Sequence, residues 1–137
     1  MDWTNLYKDT KGTWLKGNLH THAGEGMSVS EILHRYQAKG YDFLCISDHR
    51  KLTKPKTEKR DSLVLLPGCE WNSHSGEHMN LLSFKDSLIK RSIACPDQMA
   101  VLRRLEKKPI LAILNHPNWQ EPPHYSREEL AERAPFA

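Results

Sequence analysis

His20 and His22 stand one residue apart in the stretch Lys16-Gly17-Asn18-Leu19-His20-Thr21-His22. Side chains of a β-strand alternate between its two faces, so these two imidazoles leave the same face and can grip one metal ion together. Three more polar clusters follow the same design. Asp48-His49 comes directly after the run 41–47, Glu70 after 63–69, and His116 after 110–115. Each apolar run is about the length of a strand and ends in a residue able to bind metal. Sites in parallel α/β architectures form at the carboxyl ends of strands, so clusters far apart in sequence would converge there. The expected chemistry is a multi-ligand metal centre.

The elements that must position these residues alternate along the chain. A first strand is expected over about 13–22. Ser28 with Glu31 three residues on is a capping box, opening a helix that carries Ile32, Leu33, Tyr36 and Ala38 and stops at Gly40. Strands follow near 41–47 and 62–67, and 79–84 reads as a fourth. Pro96-Asp97 opens a helix through Met99, Val101, Leu102 and Leu105, and Pro109 introduces a strand over 110–114. A second capping box, Ser126 with Glu129, starts a helix running to about Arg133. Alternation of this kind predicts parallel βα units in an α/β fold. Five strands do not close a βα barrel. The expectation is one domain over 1–137, forming the first part of a larger fold and truncated on its carboxyl side.

Composition narrows the class. Hydrophobic residues make up 38% and charged residues 27% of the 137, and no apolar run is long enough to cross a membrane. The polar start Met1-Asp2-Trp3-Thr4-Asn5 is not a signal peptide, so a cytoplasmic location is expected. Cys45, Cys69 and Cys95 are odd in number and lack Cys-x-x-Cys spacing, which argues for reduced thiols over a disulfide framework or a thiolate zinc site. The net charge of +3 does not imply a nucleic-acid partner. Its excess is local: Arg50, Lys51, Lys54, Lys56, Lys59 and Arg60 crowd one segment after His49. That segment is either a solvated connector or a means of attracting an anionic substrate to the mouth of the site.

The four motifs, taken in order, resemble the PHP (polymerase and histidinol phosphatase) family of metal-dependent phosphoesterases. The wording of 14–22 is similar to its stand-alone, CehA/McbA-like branch. The resemblance spans about 13–120 and implies a distorted seven-stranded (βα) barrel of PHP type, of which this chain would hold about the first five strands. It also implies that His20 and His22 bind one metal, that Glu70 bridges it to a second, and that His78 and His116 complete the second site. His49 matches a ligand of a third metal, with Asp48 beside it as a ligand or orienting group, and Glu25 takes the place of the family's turn Asp on a shorter loop. The family's last Asp-x-His motif has no counterpart before Ala137.

The resemblance therefore implies two or three divalent ions. A carboxylate with two oxygens is a natural bridge between cations about 3.5–4 Å apart, and such a pair can generate a hydroxide and stabilise a leaving oxygen. Imidazole donors suit Zn, Mn or Fe better than Mg. The expected function is a metal-dependent phosphoesterase in which Asp48, His49 and Glu70 carry the chemistry and the partner is a small anionic phosphate ester. Its rivals are hydrolysis of a carbamate, amide or ester at the same metals, and a non-catalytic metal-binding fragment. Other histidines read differently. His34 on its capped helix and His124 in a loop are packing or surface residues, and the resemblance favours His78 over His74, because the family pattern places the ligand just before an Asn-bearing apolar strand. Trp14 and Trp71 read as core or rim aromatics.

Overall fold

The computed structural model describes residues 12–23, 26–54, 63–119 and 125–137. Its elements are β1 (Gly17–Thr21), α1 (Val29–Ala38), β2 (Phe43–Ile46), β3 (Val64–Leu66), β4 (Gly68–Asn72), β5 (His78–Leu82), α2 (Asp86–Ile93), α3 (Gln98–Leu105), β6 (Leu111–Leu114) and α4 (Arg127–Arg133), with a short 3-10 turn over Ala134–Phe136. Among the described residues no helix is long and apolar enough to cross a membrane.

The strands form two small sheets of three, neither closed on itself. In the first, β1, β2 and β3 are all parallel, as the βα alternation predicts. In the second, β5 runs antiparallel to both β4 and β6, which corrects the expectation of parallel units throughout. Only five residues separate Asn72 from His78, too few for the crossover a parallel pair requires. α2 has no counterpart among the elements expected from the sequence. No side chain caps its start at Lys85, so the local signal that marks the other helices is missing.

The two sheets are stitched together through the backbone. Glu70 N–H donates to Asp48 O at 3.2 Å and Arg50 N–H to Glu70 O at 2.7 Å, while Thr53 and Gly68 exchange bonds of 3.1 and 3.2 Å. β3 and β4 are separated only by Pro67, which has no N–H to offer a ladder. The strand expected near 62–67 is β3, beside β2, and beyond Pro67 the chain forms a further strand that is not among those expected, β4, beside β5.

Each sheet buries one face against helices. Leu44, Ile46, Leu63 and Leu65 pack with Ile32 of α1, placed there by the Ser28/Glu31 capping box that the sequence shows. Cys69, Trp71, Met79, Leu81 and Ala112 pack with Ile89, Val101, Leu102 and Leu105 of α2 and α3. Trp71 is fully buried, and its indole N–H is shared between Ser92 O at 3.0 Å and Cys95 O at 2.9 Å, so it is a core residue. Trp14, by contrast, is 70% exposed and lies outside the core. Strand alternation turns Glu70 and Asn80 to the face opposite Trp71 and Met79.

Candidate metal centre

Glu70 sits in the middle of β4, with both neighbours in the helix-facing core, and its exposure is 0%. This corrects the expectation that it follows the end of a strand. A buried carboxylate is costly unless it is paired and hydrogen-bonded. Here five imidazoles surround it. Its Oε2 lies 3.2 Å from His20 Nε2, 2.9 Å from His22 Nε2 and 3.5 Å from His49 Nδ1. Its Oε1 lies 3.1 Å from His78 Nδ1 and 3.5 Å from His116 Nε2.

The five rings form a closed circuit. His20 neighbours His22 at 5.1 Å between centroids, His22 stacks on His49 at 4.8 Å, His49 meets His78 at 5.2 Å, His78 meets His116 at 5.8 Å, and His116 returns to His20 at 5.1 Å. Each residue reaches the circuit by a different route. His20 ends up inward through a local irregularity of β1, where three steps from Asn18 to Thr21 match two steps from Leu44 to Ile46. Asn18 Oδ1 accepts from His20 N–H at 3.0 Å and fixes that irregularity. His78 opens β5, and because β5 is antiparallel its first residue lies at the same edge as the last residues of β4 and β6. His116 follows β6 with φ of +50°, a left-handed conformation uncommon outside glycine and of the kind found at functional sites.

Asp48 lies beside this circuit with both oxygens engaged. Oδ1 accepts from Ala23 N–H at 2.8 Å and Oδ2 from the Thr53 hydroxyl at 3.2 Å, so it anchors the chain just after His22. Glu25, like Lys56, Lys59, Arg60 and His124, falls outside the described residues. His74 is exposed in the bend before β5, and His34 is exposed on α1. Trp119 packs edge-on to His116 at 5.6 Å and is 52% exposed, forming a rim.

The sequence reading missed the amides that hold Glu70. Asn115 Nδ2 donates to Glu70 Oε1 and to Asn80 Oδ1, each at 2.9 Å, and Asn80 Nδ2 donates to Leu19 O at 2.8 Å. Burial alone would push the Glu70 carboxyl up. The Asn115 hydrogen bond and the charges of His20, His49 and His78 outweigh it and hold the group below its ordinary range, ionised. Burial pushes His22 down, and His49 and His20 add to this against the opposing pull of Glu70, which favours the neutral, ligand-competent imidazole.

The basic run is mostly occupied where it is described. Arg50 donates from its guanidinium to Asn72 O at 2.6 Å and to Ile93 O, and lies over the Trp71 ring, 5.8 Å from its centroid. Lys54 Nζ pairs with Asp86 Oδ2 at 2.5 Å.

The fold and site define a mixed α/β chain with a buried Glu ringed by histidines, a group able to hold metal. Two sets of donors, His20/Glu70/His116 and His22/His49/Glu70, each have ligand atoms within 4.8 Å of one another. No protein-family profile, curated protein or solved structure matches the chain.

Proposed function

We propose that this chain is a metal-dependent phosphoesterase of PHP type. The observation that carries the reading is Glu70: a fully buried carboxylate presenting two oxygens to five imidazole nitrogens 2.9 to 3.5 Å away. A donor set of one carboxylate and several imidazole nitrogens fits Zn, Mn or Fe. By oxygen, the donors divide into His20, His22 and His49 on Oε2, and His78 and His116 on Oε1. By mutual proximity His20 groups with His116 instead. The division by oxygen is preferred, because a bridging carboxylate gives one oxygen to each ion.

The residues of the chain then have distinct tasks. Glu70 joins the two halves of the site, and Asn115 fixes its rotamer. Asp48 holds the turn behind His22 through Ala23. His49 and His22 have the most exposed side chains of the five, at 52% and 37%, so an incoming anion meets this side first. Divalent ions bound there would lower the pKa of an attacking water and neutralise charge on the phosphoryl oxygens as the bond to the leaving alcohol breaks.

The test is metal analysis of the purified protein beside Glu70→Gln, with hydrolysis of a panel of phosphate monoesters and carboxyl esters. The reading expects bound metal in the parent protein, its loss in the variant, and turnover of phosphate esters only. Full metal retention in Glu70→Gln would overturn the bridge, and turnover confined to carboxyl esters would overturn the substrate class.

A further inference from the structure

α4 is short, yet it buries an arginine. Arg133 is 6% exposed, and a cation withdrawn from water needs partners that repay its desolvation. Its charge is met by Glu129 Oε1 at 3.6 Å, Glu77 Oε1 at 3.8 Å and Glu132 Oε2 at 3.8 Å, and Nη1 donates to Glu129 O at 3.1 Å. Its Nε has a different use, donating to Gln98 Oε1 at 2.8 Å on α3.

That bond sets a direction. A guanidinium can only donate, so the Gln98 oxygen accepts and its amide nitrogen is left to donate. Gln98 Nε2 gives its hydrogen to Tyr125 Oη at 2.8 Å, which leaves the Tyr125 hydroxyl proton for His78 O at 2.6 Å. Tyr125 is 7% exposed and Gln98 3%, so the relay is shielded from water. His78 O also accepts from Asn115 N–H at 2.9 Å. The first residue of β5 is thereby pinned from the α4 side and from the β6 side, and its imidazole is held 3.1 Å from Glu70 Oε1.

We propose that Tyr125 is a positioning residue for the metal centre, and that its hydroxyl, oriented by Gln98 and Arg133, fixes His78 so that the Oε1 half of the site can bind its ion. The proposal rests on the two-ion reading given above. The other half, on Oε2, draws His20 from β1, His22 from the residue after it and His49 from the segment after β2. The hydrogen bonds of Tyr125 and Gln98 do not run to them, and the relay comes near this half where the His78 ring meets that of His49 at 5.2 Å. Loss of the hydroxyl therefore weakens one metal equivalent and spares the other.

Titration of the metal-free protein with Zn²⁺ against a chromophoric chelator separates the two equivalents. Tyr125→Phe keeps the ring and removes only the donor. The expected result is a first equivalent within about threefold of the parent protein and a second weakened at least about tenfold, the order of one lost supporting hydrogen bond. Gln98→Met, which cuts the relay one link earlier, should show the same selectivity and decides the matter if Tyr125→Phe does not fold. Two equivalents of unchanged affinity in a folded variant would overturn the proposal while leaving the metal reading intact. Equal weakening of both would overturn it as general loosening, and failure of both variants to fold would make the relay a determinant of the fold instead. A parent protein that binds no Zn²⁺ would overturn the two-ion reading and the proposal with it.

Discussion

The side-chain nitrogen of Asn115 lies 2.9 Å from Glu70 Oε1 although 45 residues separate them in the chain. The same nitrogen reaches Asn80, and Asn80 reaches the backbone of β1, so one buried line of amides ties the edge of the first sheet to the carboxylate of the second. Asn115→Leu removes the donor and leaves two buried acceptors without it. Stability should fall by about 1–3 kcal/mol, read from urea unfolding of the metal-free protein. Parent-like stability would mean that the imidazoles alone hold the carboxylate.

Gly68 opens β4 two residues before Glu70. A Cβ there would stand 2.3 Å from Cys45 Sγ and 3.0 Å from Leu81 O. Gly68→Ala should therefore destabilise by about 1–3 kcal/mol, the usual cost of overpacking. Cys45→Ala removes the nearer obstacle, so the double variant should recover part of the loss, and a double-mutant cycle should show a favourable coupling. Strict additivity would count against the contact.

Arg50 has φ of +49° and donates to two backbone carbonyls, on Asn72 and Ile93. Arg50→Ala should cost about 1–2 kcal/mol through the lost charge-assisted bonds. Arg50→Gly loses the same bonds but relaxes the left-handed backbone, and should be the milder change in thermal melts. Lys54→Ala breaks an exposed pair with Asp86 and should leave the melting temperature essentially unmoved.

Burial pushes the Cys45 and Cys69 thiols up to about 12 each, while Cys95 is only partly buried. In the native protein at pH 8, iodoacetamide should label Cys95 and spare the other two until unfolding, as mass spectrometry would show. The folded state keeps a proton on Cys45 that the unfolded chain loses above its ordinary value of 9.0. The Cys45 contribution to stability is therefore complete below pH 9 and declines as the pH rises toward 12, at about 1.4 kcal/mol per unit. Cys45→Ser should flatten that alkaline slope.

Local signals carried much of this protein in the sequence alone. Ser28 and Ser126 cap helices through Glu31 and Glu129 as their spacing predicts, because a capping box is complete within four residues. His20, His22, His49, Glu70 and His116 were legible as metal-binding residue types beside apolar runs, His78 was singled out by the family resemblance, and all six meet in one place. The direction of β5 was also present in the short Asn72-to-His78 connection, but the period of the apolar residues overshadowed it.

Tertiary structure decided the rest. Asn80 and Asn115 lie within the expected apolar runs, Tyr125 directly before the last capping box and Arg133 at the end of its helix, but nothing local to any of them names its partner. Their partners lie 61, 45, 47 and 35 residues away, at Leu19, Glu70, His78 and Gln98. A buried polar group takes its meaning from the one donor or acceptor that replaces water, and only the packed chain brings that partner within 3 Å.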